Sequence, residues 1–394
     1  MSCVDGVEWR THSGAQHISL LRKICVGGPD AERDLPSLTQ GCLVGSLAAQ
    51  VMSPAEKTSS PVAAFPSPSF SRFTGHLLDR RLLVFAGKGG VGRTTAASAL
   101  ALLAARQGKR VLLAQTRGRS RLQEIFSVER DFSEVAPVQD NLWAVNMTPE
   151  NALREYGVMV LHSAFLFRQV FERDVVRAFM RAVPGLHDYS MLGKVWYHTT
   201  EQVSGRPRFD LVILDGPATG HILTLLRIPK IILDTVPEGP LTGPARDNWG
   251  LLTDPKRCLM VLTTLAEDLP VSETLQLAKG LAELRLCMGP LIVNRLYPPR
   301  LSSGLPKVGF DALLQSGDAM SDSSLGPLLR AARLHRQRAR LNEHHVERLS
   351  RALPLPQLHL PHLFEQRVSK KEIEDLADRL EGQVEALFST SPQA

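Results

Sequence analysis

Nine consecutive residues, Gly87-Lys88-Gly89-Gly90-Val91-Gly92-Arg93-Thr94-Thr95, combine four glycines with two cations and two hydroxyls. Such a run suits phosphate: backbone N–H groups can curl around phosphate oxygens where no Cβ intervenes, and a following helix adds its positive N-terminal dipole. The spacing is that of a Walker A loop, with Thr94 at the position whose hydroxyl ligates Mg²⁺ and Thr95 within reach of an α-phosphate. Lysine usually closes this motif, and Arg93 stands there instead. Its guanidinium keeps the charge but is larger, planar and forked, so it does not simply replace a compact ammonium between β- and γ-phosphates. The expected result is nucleotide binding with weakened hydrolysis.

A second run, Phe209-Asp210-Leu211-Val212-Ile213-Leu214-Asp215, reads as an apolar strand ending in a carboxylate, followed by the turn Gly216-Pro217-Ala218-Thr219-Gly220-His221. Asp215 has the Walker B position, where a carboxylate holds a Mg²⁺-bound water if both loops leave the same edge of a parallel sheet. His221 is either a locally bonded turn histidine or part of a phosphate-sensing switch.

The elements that must position these residues follow from the hydrophobic pattern. After Arg81, short apolar runs alternate with helical periods, the pattern of a parallel sheet with crossover helices. The strands are expected at Leu82–Ala86, Val111–Gln115, Leu142–Asn146, Leu211–Asp215, Cys258–Thr263, Leu291–Asn294 and Leu355–Leu360. Most are apolar on both faces, as strands between two helical layers are. A helical stretch over 149–203 is too long for a crossover; Phe165, Phe167, Phe171, Val175, Phe179 and Met180 either form the core of a helical subdomain or line a groove for a hydrophobic client. Leu328 to Leu353 carries seven arginines, read as a solvated basic face, and Ser369 to Phe388 is a helix with an acidic polar side. Residues 1–78 have Ser/Pro punctuation without a sustained period and read as a disordered tail or as sequence ahead of the true start. The domain proper is placed at 79–390.

The Gly-Lys-Gly-Gly-Val-Gly pattern, with Lys88 after the first glycine, resembles the deviant Walker A of the SIMIBI ATPases. Pro217-Ala218-Thr219-Gly220-His221 is similar to the switch of arsenical pump-driving ATPases and tail-anchored-protein targeting ATPases; Pro184-Gly185-Leu186, Leu192-Gly193-Lys194-Val195-Trp196 and Ile292-Val293-Asn294-Arg295 agree with that family. The resemblance runs from about Leu82 to Leu387. It implies a P-loop NTPase three-layer α/β sandwich with a mostly parallel sheet and a helical insert. It also implies ATP and Mg²⁺ as cofactors, with Thr94 and Asp215 on the metal, and Lys88 reaching phosphates across a dimer interface. Asn294 would read the adenine edge, unless it is only a strand-end cap. Lys88, Arg93 and Asp215 are then the catalytic candidates.

Two departures bear on activity. Where relatives place a water-orienting Asp after the second strand, this chain reads Gln115-Thr116-Arg117-Gly118-Arg119-Ser120, and Glu124 substitutes only if the loop refolds. With Arg93, that loss predicts slow or absent turnover. The arsenite-binding cysteines and the zinc CxxC are missing from the pattern of Cys3, Cys25, Cys42, Cys258 and Cys287, so no zinc or arsenite site is expected.

The 394 residues carry 46 Lys+Arg against 40 Asp+Glu, a charge of +6, with 43% apolar residues. That diffuse basicity lacks any nucleic-acid-binding signature, and no apolar run reaches membrane-spanning length. A cytoplasmic ATPase is the leading expectation, acting as a homodimer or with a paralogue, on a hydrophobic protein client, and coupling ATP hydrolysis to movement of dimer and insert. The alternatives are a pseudo-ATPase scaffold paired with a catalytically complete paralogue, and a partition or septum-positioning ATPase.

Overall fold

The computed structural model describes residues 76–116, 121–130, 132–149, 151–152, 186–238, 242–298, 326–365 and 367–389. The six insert residues Phe165 to Met180 singled out above, Arg117 of the departed loop, and Cys3, Cys25 and Cys42 lie outside them.

Strand β1 (Leu82–Ala86) is buried along its whole length, and its alternating side chains supply two different cores. Leu82, Val84 and Ala86 join one hydrophobic cluster, and Leu83 and Phe85 join the other. The same division holds in β2 (Val111–Thr116) and β7 (Leu211–Asp215), as a period of two requires of a strand with helices on both faces.

The remaining strands are β3 (Ala136–Gln139), β4 (Leu142–Met147), β5 (Gln202–Val203), β6 (Arg206–Pro207), β8 (Cys258–Leu265), β9 (Met288–Leu296) and β10 (Gln357–Pro361). Eight of these strands form one sheet in the order β10-β9-β8-β1-β7-β2-β4-β3, parallel except for the β3–β4 pair. β5 and β6 make a separate hairpin. One face carries α3 (Leu186–Thr200), α4 (Thr219–Thr235), α5 (Thr242–Thr253), α6 (Asp268–Glu283) and the end of α7 (Gly326–Ala352). The other carries α1 (Arg93–Arg106), α2 (Leu122–Phe126) and α8 (Lys370–Ser389). The three-layer α/β sandwich is therefore present.

Every expected strand is found within a few residues. β3 was missed because Ala-Pro-Val-Gln is short and contains Pro137, which a sheet tolerates at its edge. Of the expected helical stretch over 149–203, residues 150 and 153–185 lie outside the described ones. Its last helix, α3, ends at Thr200 and the β5–β6 hairpin follows from Gln202; two-residue strands leave no periodic signal. Leu77 and Leu78, just ahead of the expected start at 79, are fully buried in the α1 and α8 core. α8 opens on a capping box, in which the Ser369 backbone N–H donates to Glu372 Oε2 at 2.7 Å.

Sequential β1 and β2 leave a gap that β7 fills, so the strand ahead of the glycine loop lies beside the strand ending in Asp215, with Phe85 opposite Asp215. Register at the other end of β7 is held by Arg110, whose Nε and Nη2 donate to Asp210 Oδ2 and Oδ1 at 2.9 and 2.6 Å. This fork holds the Asp210 carboxyl below the usual carboxylate range.

α3 is tied to the segment just ahead of that strand by His198, buried at 5% exposure, whose Nδ1 lies 2.9 Å from Glu201 Oε2 and whose ring meets Phe209 at 5.9 Å. Burial pushes the imidazole below its ordinary value, against the partial support of Glu201; Lys194 and Arg208 add to the lowering. A histidine with a lower pKa folded than unfolded binds fewer protons in the native state, so stability falls as pH drops below about 6.5. Urea unfolding at pH 7.5 and 5.5 is expected to show that loss, with a slope from this group of at most about 1.4 kcal/mol per pH unit. His198→Gln should flatten the slope; an unchanged slope would show that His198 is not the titrating group.

Candidate functional site

The glycine loop connects β1 to α1, and its glycines meet different constraints. A Cβ on Gly87 would lie 2.2 Å from the Thr263 carbonyl oxygen of β8. Gly90 and Gly92 both have φ +86°, the left-handed region that side chains disfavour. Gly89 and Gly90 have no neighbour within 4 Å of a would-be Cβ, so this part of the loop is open. Gly92 is the N-cap of α1 and no side chain caps that helix. Open glycines before an uncapped helix end form an anion cradle, and this geometry fits a nucleotide's phosphates.

Val91, 1% exposed, anchors the loop, and its carbonyl accepts from Asn294 Nδ2 at 2.9 Å. Asn294 Oδ1 accepts from the Arg295 backbone N–H at 2.9 Å, and a Cβ on Gly92 would lie 2.1 Å from Asn294 Nδ2. The expected base reader therefore lies beneath the loop, 5% exposed, with donor and acceptor both engaged by backbone.

Asp215, 2% exposed, gathers two of the expected residues around it. Arg93 Nε donates to Oδ1 at 2.8 Å and Thr94 Oγ1 donates to Oδ2 at 2.6 Å. Arg93 Nη1 also donates to the Gly87 carbonyl at 2.8 Å, so the guanidinium joins the first loop residue to the end of β7. Gln115 Nε2 stands 3.5 Å from Asp215 Oδ2, and the Thr116 hydroxyl donates to the Asp215 carbonyl at 3.1 Å. A hydroxyl and a carboxylate are the hard oxygen donors Mg²⁺ prefers. Here both carboxylate oxygens already accept hydrogen bonds, one from a cation, so the residues as arranged do not fit the metal.

Lys88 lies apart from this network. Its ammonium pairs with Glu273 of α6 at 2.7 Å, both side chains near 30% exposure, which leaves it within reach of solvent. Glu124, on the exposed side of α2, does not join Asp215. His221, expected in a turn, instead sits in the first turn of α4, its N–H donating to the Ala218 carbonyl at 2.9 Å. Cys258 is fully buried in β8, where burial pushes its thiol up.

Glu273, Gln115 and the Thr263 carbonyl are site components that sequence reasoning missed. Glu273 and Thr263 come from elements remote from the motifs, whereas Gln115 opens the departed stretch itself. Only Gln115, a polar residue near the end of an otherwise apolar strand and next to the departed loop, carried a usable signal.

A mostly parallel sheet with a glycine loop opening a helix, beside a strand ending in a buried aspartate, defines a P-loop NTPase. The chain belongs to the anion-transporting ATPase family, which it matches over residues 80–238. It is 30% identical over 299 residues to ATPase BagA of Mycobacterium tuberculosis, spanning 71% of this chain and 87% of that protein. It is 28% identical over 233 residues to the arsenical pump-driving ATPase of Acidiphilium multivorum, and 29% over 233 residues to one of Escherichia coli. Each match spans 55% of this chain and 39% of the relative. The family carries an ATP-binding, ATPase-type function. Among the described residues no helix is long and apolar enough to cross a membrane.

Proposed function

We propose that this chain binds ATP on the Gly87–Thr95 loop and turns it over slowly. The observation that carries the reading is the uncapped α1 N-terminus behind open glycines, next to Asp215. In this reading loop amides and Arg93 hold the phosphates, and Lys88 joins them once it leaves Glu273. The positive charge developed around the transferred group comes from these two side chains and the helix end. The first turn of α4, which follows Asp215 directly, carries the phosphate state to α3 and α5, both packed on α4. The active form is a dimer in the cytoplasm, of this chain or with a paralogue, and the apolar insert receives a hydrophobic protein segment.

One observation favours a second reading, a nucleotide-responsive scaffold without turnover: both Asp215 oxygens already accept hydrogen bonds, one of them from the Arg93 guanidinium. Calorimetric ATP titration and phosphate release on the full chain separate the two. Binding with turnover below about 1 s⁻¹, under the ordinary enzymatic range, is the expected result. Arg93→Lys with Arg117→Asp should raise the rate at least about tenfold, equivalent to about 1.4 kcal/mol in the barrier. Binding with no turnover, rescued by the double substitution, selects the scaffold, whereas no ATP binding defeats both.

A further inference from the structure

A P-loop has to supply counter-charge to a triphosphate, and in this chain the charge is already built in. Arg93 is clamped at two points, Nε on Asp215 Oδ1 and Nη1 on the Gly87 carbonyl, both at 2.8 Å. A guanidinium carries five N–H donors in a rigid plane, so these two anchors leave three donors. Among the described residues those three have no hydrogen-bond partner, and the side chain remains 16% exposed at the loop. The same clamp neutralises Asp215. Its other oxygen accepts the Thr94 hydroxyl proton at 2.6 Å, and Gln115 Nε2 approaches that oxygen to 3.5 Å. A divalent cation entering between Thr94 and Asp215 would meet a guanidinium on one oxygen and a hydroxyl proton on the other, at a carboxylate only 2% exposed. Displacing the guanidinium would break two charge-assisted or backbone hydrogen bonds. A lysine here would be a point charge without the fork that spans Gly87 and Asp215.

We propose that this P-loop takes its nucleoside triphosphate free of divalent metal, with the Arg93 guanidinium, held between Gly87 and Asp215, supplying the counter-charge. The inference rests on the ATP-binding reading above and names the ionic form of the ligand. It makes Arg93 the residue that sets metal dependence, and it accounts for an arginine in a loop whose other positions keep the phosphate-binding pattern.

The test is calorimetric titration of the full chain with ATP, once with excess Mg²⁺ and once with excess EDTA. Dissociation constants within about twofold of each other are expected for the wild type. Arg93→Lys is expected to open a difference of at least about tenfold in favour of Mg²⁺. A wild-type chain that binds at least about tenfold more tightly with Mg²⁺ overturns the proposal, as does an Arg93→Lys chain that folds and remains indifferent to the metal. A second measurement needs no variant: the wild-type complex with ATP, formed in Mg²⁺ and rapidly desalted, is analysed for bound nucleotide and bound metal. Nucleotide with substoichiometric Mg²⁺ supports the proposal, and one metal per nucleotide overturns it. Failure to bind ATP in either buffer is a different outcome, since it removes the ATP-binding reading itself.

Discussion

Gly87→Ala is expected to destabilise the chain by about 2–3 kcal/mol or more and to abolish ATP binding, whereas Gly89→Ala, two residues on, should change stability by less than about 0.5 kcal/mol. The contrast comes from what each added methyl group meets. At Gly87 it would lie 2.2 Å from the Thr263 backbone oxygen and 3.5 Å from Val91 Cγ2. Neither can retreat cheaply. Thr263 belongs to β8, zipped to β1 through Leu82↔Cys258 to Ala86↔Leu262, and is itself fully buried. Relief therefore has to come from the loop, which would swing away from β8 and carry Arg93 off the Gly87 carbonyl. At Gly89 the same methyl meets nothing within 4 Å and the backbone is not left-handed. Gly90→Ala should fall between, costing about 1–2 kcal/mol for its positive φ alone. Urea unfolding of the three variants checks the order. Equal midpoints for Gly87→Ala and Gly89→Ala would show that the loop is not wedged against β8.

That wedge also shows where the sequence stops being legible. The order of layers could be read because β1, β2, β7 and β8 are apolar on both faces and short, a pattern with few other solutions. Asp215 could be placed because the run ahead of it is an unbroken buried strand, and Arg93 and Thr94 because the glycine spacing fixes their offset from the helix start. What the sequence withheld were pairings across the sheet edge. Nothing near Lys88 announces Glu273, 185 positions later in the chain, or announces that Asn294 would turn towards Val91 rather than outward. A deviant loop residue such as Arg93 could be recognised as unusual, but its effect depended on a distance, 2.8 Å to Asp215, that only the fold supplies. Short irregular elements were lost for a simpler reason. β3, β5 and β6 have four, two and two residues, too few to show a period.

The strongest energetic coupling in the site is expected between Arg93 and Asp215. Removing only the carboxylate, as in Asp215→Ala, leaves Arg93 at an uncapped helix N-terminus, where the helix dipole already disfavours a cation. The Thr94 hydroxyl loses its acceptor in the same step. A broken buried pair costs about 3–5 kcal/mol when the stranded charge cannot reach water. Arg93 keeps 16% exposure and its bond to Gly87, so the cost here should be nearer about 2–4 kcal/mol. Arg93→Met strands the opposite charge, but Asp215 then retains Thr94, Gln115 and the favourable end of the dipole, which predicts a smaller loss of about 1–3 kcal/mol. The double variant Arg93→Met with Asp215→Leu strands neither, and two apolar side chains can fill the space of the ion pair. Its loss should therefore fall short of the sum of the single losses by about 1–3 kcal/mol. Equilibrium unfolding of the three chains closes the cycle. Additive losses would mean that the two side chains do not act on one another, and with that the clamp on which metal-free binding rests would be gone.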